Sequence, residues 1–131
     1  MNRRSAPAQT RKKPHPTAPA PMPPPVEDWL ETMRLEYRQR FPEKLTRLKA
    51  RLDALANADS AGEPFAALLL DVHRMHGSAG TYGMHDAGRI LAAWEALLHE
   101  SKVPDGPLPP QALIAQRKLL QKLEQVTAQT G

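Results

Sequence analysis

From Val26 onward the large apolar residues recur at intervals of three and four, and no segment alternates apolar with polar, which restricts the chain to helices. The clearest run lies between Pro64 and Gly83. At about 100° per residue, Phe65, Leu68, Val72, Met75, Ala79 and Tyr82 gather in one sector, which the spacing marks as the buried face. With His73 set at zero, that sector is centred about 120° away, and Ala66, Leu70, Gly77 and Gly80 fall within about 60° of the histidine. The strip therefore carries almost no bulk beyond one imidazole and one leucine. Each glycine inside a helix costs roughly 1 kcal/mol relative to alanine. Two of them beside an outward histidine break the local rules where access is the gain, which marks a candidate functional site.

The rest of the chain is punctuated in the same way. Val26, Trp29, Leu30, Met33 and Tyr37 form a first helical run that Phe41-Pro42 is expected to break, because the residue before a proline disfavours the α conformation. Leu45, Leu48, Leu52 and Leu55 form a second run, ending around Asn57 to Gly62. Glu63-Pro64 opens the helix that carries His73, which is expected to stop at Gly83. Ala87, Ile90, Leu91, Trp94, Leu97 and Leu98 follow, with Gly88 suggesting a close helix contact. Pro104, Gly106, Pro107, Pro109 and Pro110 form a connection, and the last helix turns Leu113, Leu120, Leu123 and Val126 inward. Every proline after residue 25 thus falls at a boundary. The expected fold is all-α, an up-and-down four-helix bundle with a short additional N-terminal helix, over residues 26–131.

Residues 1–25 differ in kind. Eight of the 14 prolines lie there, and Met22 is the only large apolar residue after Met1. Such a segment cannot bury enough surface to offset its ordering entropy, so a disordered, basic, proline-rich tail is expected. The net charge of +4 belongs to it: the tail contributes +5, and the remaining 13 basic and 14 acidic residues leave −1. A nearly neutral folded part without a recognition helix gives no expectation of nucleic-acid binding. The absence of cysteine removes disulfides and thiolate metal sites. No apolar run approaches a signal peptide or a membrane span, so no membrane association is expected and the cytoplasm is the expected location.

The order His73, one residue, Met75, His76, Gly77, Ser78, Ala79, with Gly83 beyond, resembles the signature of the histidine-containing phosphotransfer (HPt) domains of bacterial multistep phosphorelays. The resemblance implies a helical bundle whose first histidine, matched by His73, takes a phosphoryl group from a receiver aspartate or gives one to it. It implies that Gly77 keeps the approach open, and it places His76 where the family often has lysine. It implies partners, a response-regulator receiver domain or a hybrid histidine kinase. It also implies that the receiver supplies Mg²⁺ and most of the charge stabilisation, so the chain is expected to be a phosphocarrier rather than an enzyme, with no cofactor of its own.

The residues suit that division of labour. Neutral imidazole is a nucleophile above its reference pKa of about 6.5, and phosphoryl transfer through a loose, in-line transition state demands positioning more than covalent chemistry from the protein. Arg74 and His76 flank His73 at about 100° and 60° round the helix, where either can face an incoming phosphoryl group. Leu70 falls almost opposite the core and, with Ala66, Gly77 and Gly80, forms the expected docking strip. A metal site drawn from His73, His76, His85, His99, Asp71 and Asp86 is disfavoured, since His73 points outward and no Glu-x-x-His is present. The competing reading is an HPt-like module that docks on a receiver or kinase without carrying phosphate. With Met1 at the start and no attached kinase or receiver, a stand-alone, monomeric shuttle is expected.

Overall fold

The computed structural model describes residues 26–130; the proline-rich tail, residues 1–25, lies outside the described residues. The apolar spacing becomes four helices, α1 (Val26–Ala56), α2 (Gly62–Thr81), α3 (His85–Glu100) and α4 (Pro110–Thr130), with no strand among the described residues. Each helix packs on its neighbours in chain order and α4 closes the ring against α1, the arrangement of an up-and-down bundle. Phe41, Leu48, Leu52, Leu68, Val72, Leu91, Trp94, Leu98 and Leu123 fill the centre.

The expected short leading helix is not separate. It is the first part of α1, which runs through Pro42 without interruption. The proline has no N–H for the Arg38 carbonyl, a defect of about 3 kcal/mol in a helix interior. Burial on both sides of it decides the outcome: Tyr37 and Phe41 precede it, Leu48 and Leu52 follow, and each fully buried large side chain returns about 1.5–3 kcal/mol. The apolar stripe also overshoots the bundle, for Val26 and Trp29 are 66% and 57% exposed and the first buried residue of α1 is Tyr37.

The α2–α3 turn fixes the register that matters most. Gly83 adopts φ +82°, a left-handed conformation that a side chain would strain. The Met84 N–H reaches Ala79 O at 2.8 Å and the Gly83 N–H reaches Gly80 O at 3.3 Å, the paired bonds of a Schellman stop. Beyond it, buried Gly88 lies so close to α2 that a Cβ there would stand 3.8 Å from the Gly80 nitrogen. Polar links tie the other seams. Arg51 Nε donates to buried Asp71 at 2.8 Å between α1 and α2, and the Trp94 indole N–H donates to buried Gln116 between α3 and α4.

Because Pro42 is itself exposed, Pro42→Ala is expected to raise the unfolding free energy by about 1–3 kcal/mol with helical content unchanged. Urea titration followed by circular dichroism measures it.

Candidate functional site

The inner face of α2 is formed by Phe65, Leu68, Val72, Met75 and Ala79, all buried, with Tyr82 partly buried and stacked on Tyr37 at a centroid distance of 4.8 Å. That fixes the helix's rotation. Ala66, Leu70, His73, Gly77 and Gly80 are consequently all exposed along the outer side. A Cβ built at Gly77 or Gly80 meets nothing within 4 Å, so the two glycines leave open space rather than accommodate a neighbour.

His73 does not stand alone. Its side chain is 66% exposed, yet Nδ1 donates to Oε2 of Glu95 on α3 at 2.6 Å. The second oxygen, Oε1, accepts from Nδ1 of His76 at 2.8 Å. His99, four residues after Glu95 on α3, brings Nε2 to within 3.5 Å of Oε2. Three imidazoles thus surround one carboxylate that is itself only 14% exposed. The α3 stripe explains the placement: Leu91, Trp94 and Leu98 point inward, which turns Glu95 and His99 toward α2. The close Gly80–Gly88 approach lets one carboxylate span two α2 side chains.

The hydrogen bonds from His76 and then His73 hold the Glu95 carboxyl at about 2, well below its ordinary 4.5, against a smaller opposing effect of burial. Glu95 is therefore ionised at neutral pH and can only accept. Both Nδ1 atoms must carry the proton, and in the neutral ring the lone pair is left on Nε2. Neither Nε2 meets a hydrogen-bond partner among the described residues.

Two grooves flank His73. On the α3 side, Ala66, Leu69, Leu70, His73, Glu95 and His99 line a largely apolar groove of about 490 Å³. On the α1 side a smaller one is lined by Lys44, Arg47, Asp71, Arg74, Met75 and Ser78. Arg74 and His76 therefore lie on opposite sides of His73, and only His76 joins the carboxylate. Asp71 is turned toward α1 and bonded to Arg51, while His85 and Asp86 stand at the start of α3, so the residues weighed for a metal site do not converge as a set. Glu95 and Leu69 were not legible as site residues, and His99 entered only among the residues weighed for a metal; the four-residue spacing of Glu95 and His99 on one helix face was the available hint.

A four-helix ring that lifts one imidazole clear of its core, with the ring's inner nitrogen tethered and its outer one free, defines a helical histidine-presenting scaffold. The model of the Hpt domain matches residues 29–129, and the chain belongs to that family. Hpt domains serve phosphotransfer in two-component signalling, where they interact with receiver domains and kinases and act as phosphocarriers rather than enzymes. No curated protein and no solved structure matches the chain. Among the described residues no helix is long and apolar enough to cross a membrane.

A carboxyl whose folded pKa is depressed contributes stability above its unfolded value and loses it as pH falls through the folded one. The stability difference between wild type and Glu95→Gln is accordingly expected to shrink as pH falls from 4.5 to about 2. Chemical denaturation across that range measures it, and a difference that does not change with pH would contradict the tether.

Proposed function

We propose that this protein is a phosphorelay intermediate that accepts a phosphoryl group on His73 from one receiver aspartate and passes it to another. The observation that carries this reading is the tethered ring: Nδ1–H bound to Glu95 at 2.6 Å, the side chain two-thirds exposed, and Nε2 unengaged. In the forward step the Nε2 lone pair attacks phosphorus, the bond from phosphorus to the aspartyl oxygen breaks, and the aspartate leaves as carboxylate. The Nδ1 proton stays where it is, and Glu95 offsets the positive charge that develops on the ring.

Ala66, Leu70, Gly77 and Gly80 form the surface on which the receiver docks, with Leu69 extending it into the apolar groove. Arg74 flanks the phosphoryl group from the α1 side, and His76 acts beside it through the Glu95 carboxylate that both rings share. The receiver domain contributes Mg²⁺, and this chain requires no cofactor. The partners are a response-regulator receiver and a hybrid kinase, met by a monomer in the cytoplasm.

Incubation with a phosphorylated receiver tests the assignment against docking without phosphate transfer. Label is expected on wild type and at background on His73→Gln, and equal label on both, or on neither, would defeat it. Gly77→Leu adds a side chain to open space, so it is expected to keep wild-type helical content while slowing transfer by at least about tenfold, a barrier increase of about 1.4 kcal/mol. Quenched-flow transfer assays alongside circular dichroism separate the two effects. A variant that fails to fold would mean that Gly77 is packed, not open.

A further inference from the structure

His76 repeats, one turn along α2, most of what makes His73 chemically competent. Its Nδ1 is bound to the other oxygen of the same ionised carboxylate, at 2.8 Å, so its neutral form also carries the proton on Nδ1 and the lone pair on Nε2. Its side chain is 44% exposed, and its Nε2 is neither buried nor hydrogen-bonded. The ring thus keeps one nitrogen open to solvent, as His73 does.

The two rings open on different spaces. His73 borders the apolar groove on the α2–α3 face, whereas His76 borders a separate groove of about 310 Å³ shared with Gly80, His85, Gly88, Arg89 and Ala92. Its floor is the glycine contact between the helices, and a Cβ at Gly80 would meet nothing within 4 Å. Arg89 stands on its rim. Its present partner, Asp86, is an exposed neighbour on the same helix, an ion pair that contributes little and leaves guanidinium donors free to meet an anion.

We propose that His76 is a second phosphoryl-accepting imidazole, reached through the Gly80–Gly88 groove. Its donor is a compound with a labile phosphoryl group, either a small acyl phosphate or phosphoramidate or an aspartyl phosphate borne by a protein. With phosphoramidate, whose nitrogen is already protonated to –NH₃⁺ in the zwitterion present at neutral pH, the Nε2 lone pair forms the new N–P bond and the old N–P bond breaks. Its electron pair leaves with ammonia, and the Nδ1 proton remains on Glu95's side of the ring. With an aspartyl phosphate the P–O bond breaks instead and the carboxylate departs. No other reactant is needed. The proposal does not depend on His73 serving the relay.

The test exposes wild type, His73→Gln, His76→Gln and the double variant to phosphoramidate, and in parallel to a phosphorylated receiver. Phosphohistidine is read by ³¹P NMR and located by mass spectrometry under non-acidic conditions. In phosphoramidate, His73→Gln is expected to be labelled at His76 at a rate within about tenfold of that at His73 in His76→Gln, a barrier difference under about 1.4 kcal/mol. The double variant is expected to stay unlabelled, and the His76 phosphopeptide is expected from wild type as well. Label on His76 from phosphoramidate alone assigns a small-molecule donor, and label from both assigns the wider class. Absence of label on His76 in His73→Gln and in wild type, or equal labelling of the double variant, overturns the proposal. Failure of His73 as carrier would appear separately, as wild type labelled at His76 and not at His73.

Discussion

The carboxylate of Glu95, held between the imidazoles of His73 and His76, is the interaction on which the site's chemistry depends. An exposed histidine on a lone helix would sample several rotamers and both neutral tautomers. Here each ring has one nitrogen engaged by an acceptor that remains ionised far below neutral pH, and the other nitrogen faces outward with its lone pair. Sheltering a carboxylate is costly unless hydrogen bonds replace its water, and two N–H donors at 2.6 and 2.8 Å do so. The same bonds that satisfy Glu95 therefore orient the rings.

That arrangement is possible only in one register of α2 against α3. A shift of one residue along α3 would swing its side chains about 100° and turn Glu95 away from α2. The register is set at the turn: Gly83 in the left-handed region, the Met84 N–H on Ala79 O, and Gly88 against the Gly80 backbone. Behind it, Trp94 and Leu98 lock α3's rotation, just as Phe65, Leu68 and Val72 lock α2's. An exposed site thus inherits its precision from interior packing, since close-packed cores transmit displacement rather than absorb it.

Most of the fold was legible because each helix shows its inner face by spacing alone. Phe65, Leu68, Val72, Met75 and Ala79 are buried as their phase requires, the helix stops at Gly83, and Gly88 marks a close contact. Pro42 misled because a local steric preference was read without the burial of Phe41 and Leu48 that outweighs it. Val26 and Trp29 are helical as their spacing requires yet exposed, since an apolar stripe does not reveal where the helix outruns its neighbours. Glu95 was illegible for a deeper reason. The 22-residue separation from His73 spans a turn, and no periodicity within one helix reports the offset between two. Buried Asp71 and Gln116 were hidden likewise, each acquiring its partner, Arg51 or Trp94, only through tertiary packing.

The proton inventory explains how such a site would run in both directions. On the proposed assignment, the proton on Nδ1 is present before the phosphoryl group arrives, while it is held and after it leaves, so neither transfer waits on a base or an acid from the bundle. While phosphorylated, the ring lies between two anions, the phosphoryl group on Nε2 and Glu95 on Nδ1. The carboxylate stabilises the cationic ring and so favours capture, but it also opposes the phosphoryl charge and so favours release. The two effects act against each other within one side chain. An intermediate needs this compromise, because a carrier that held its phosphoryl group much more tightly than either receiver would stop the relay.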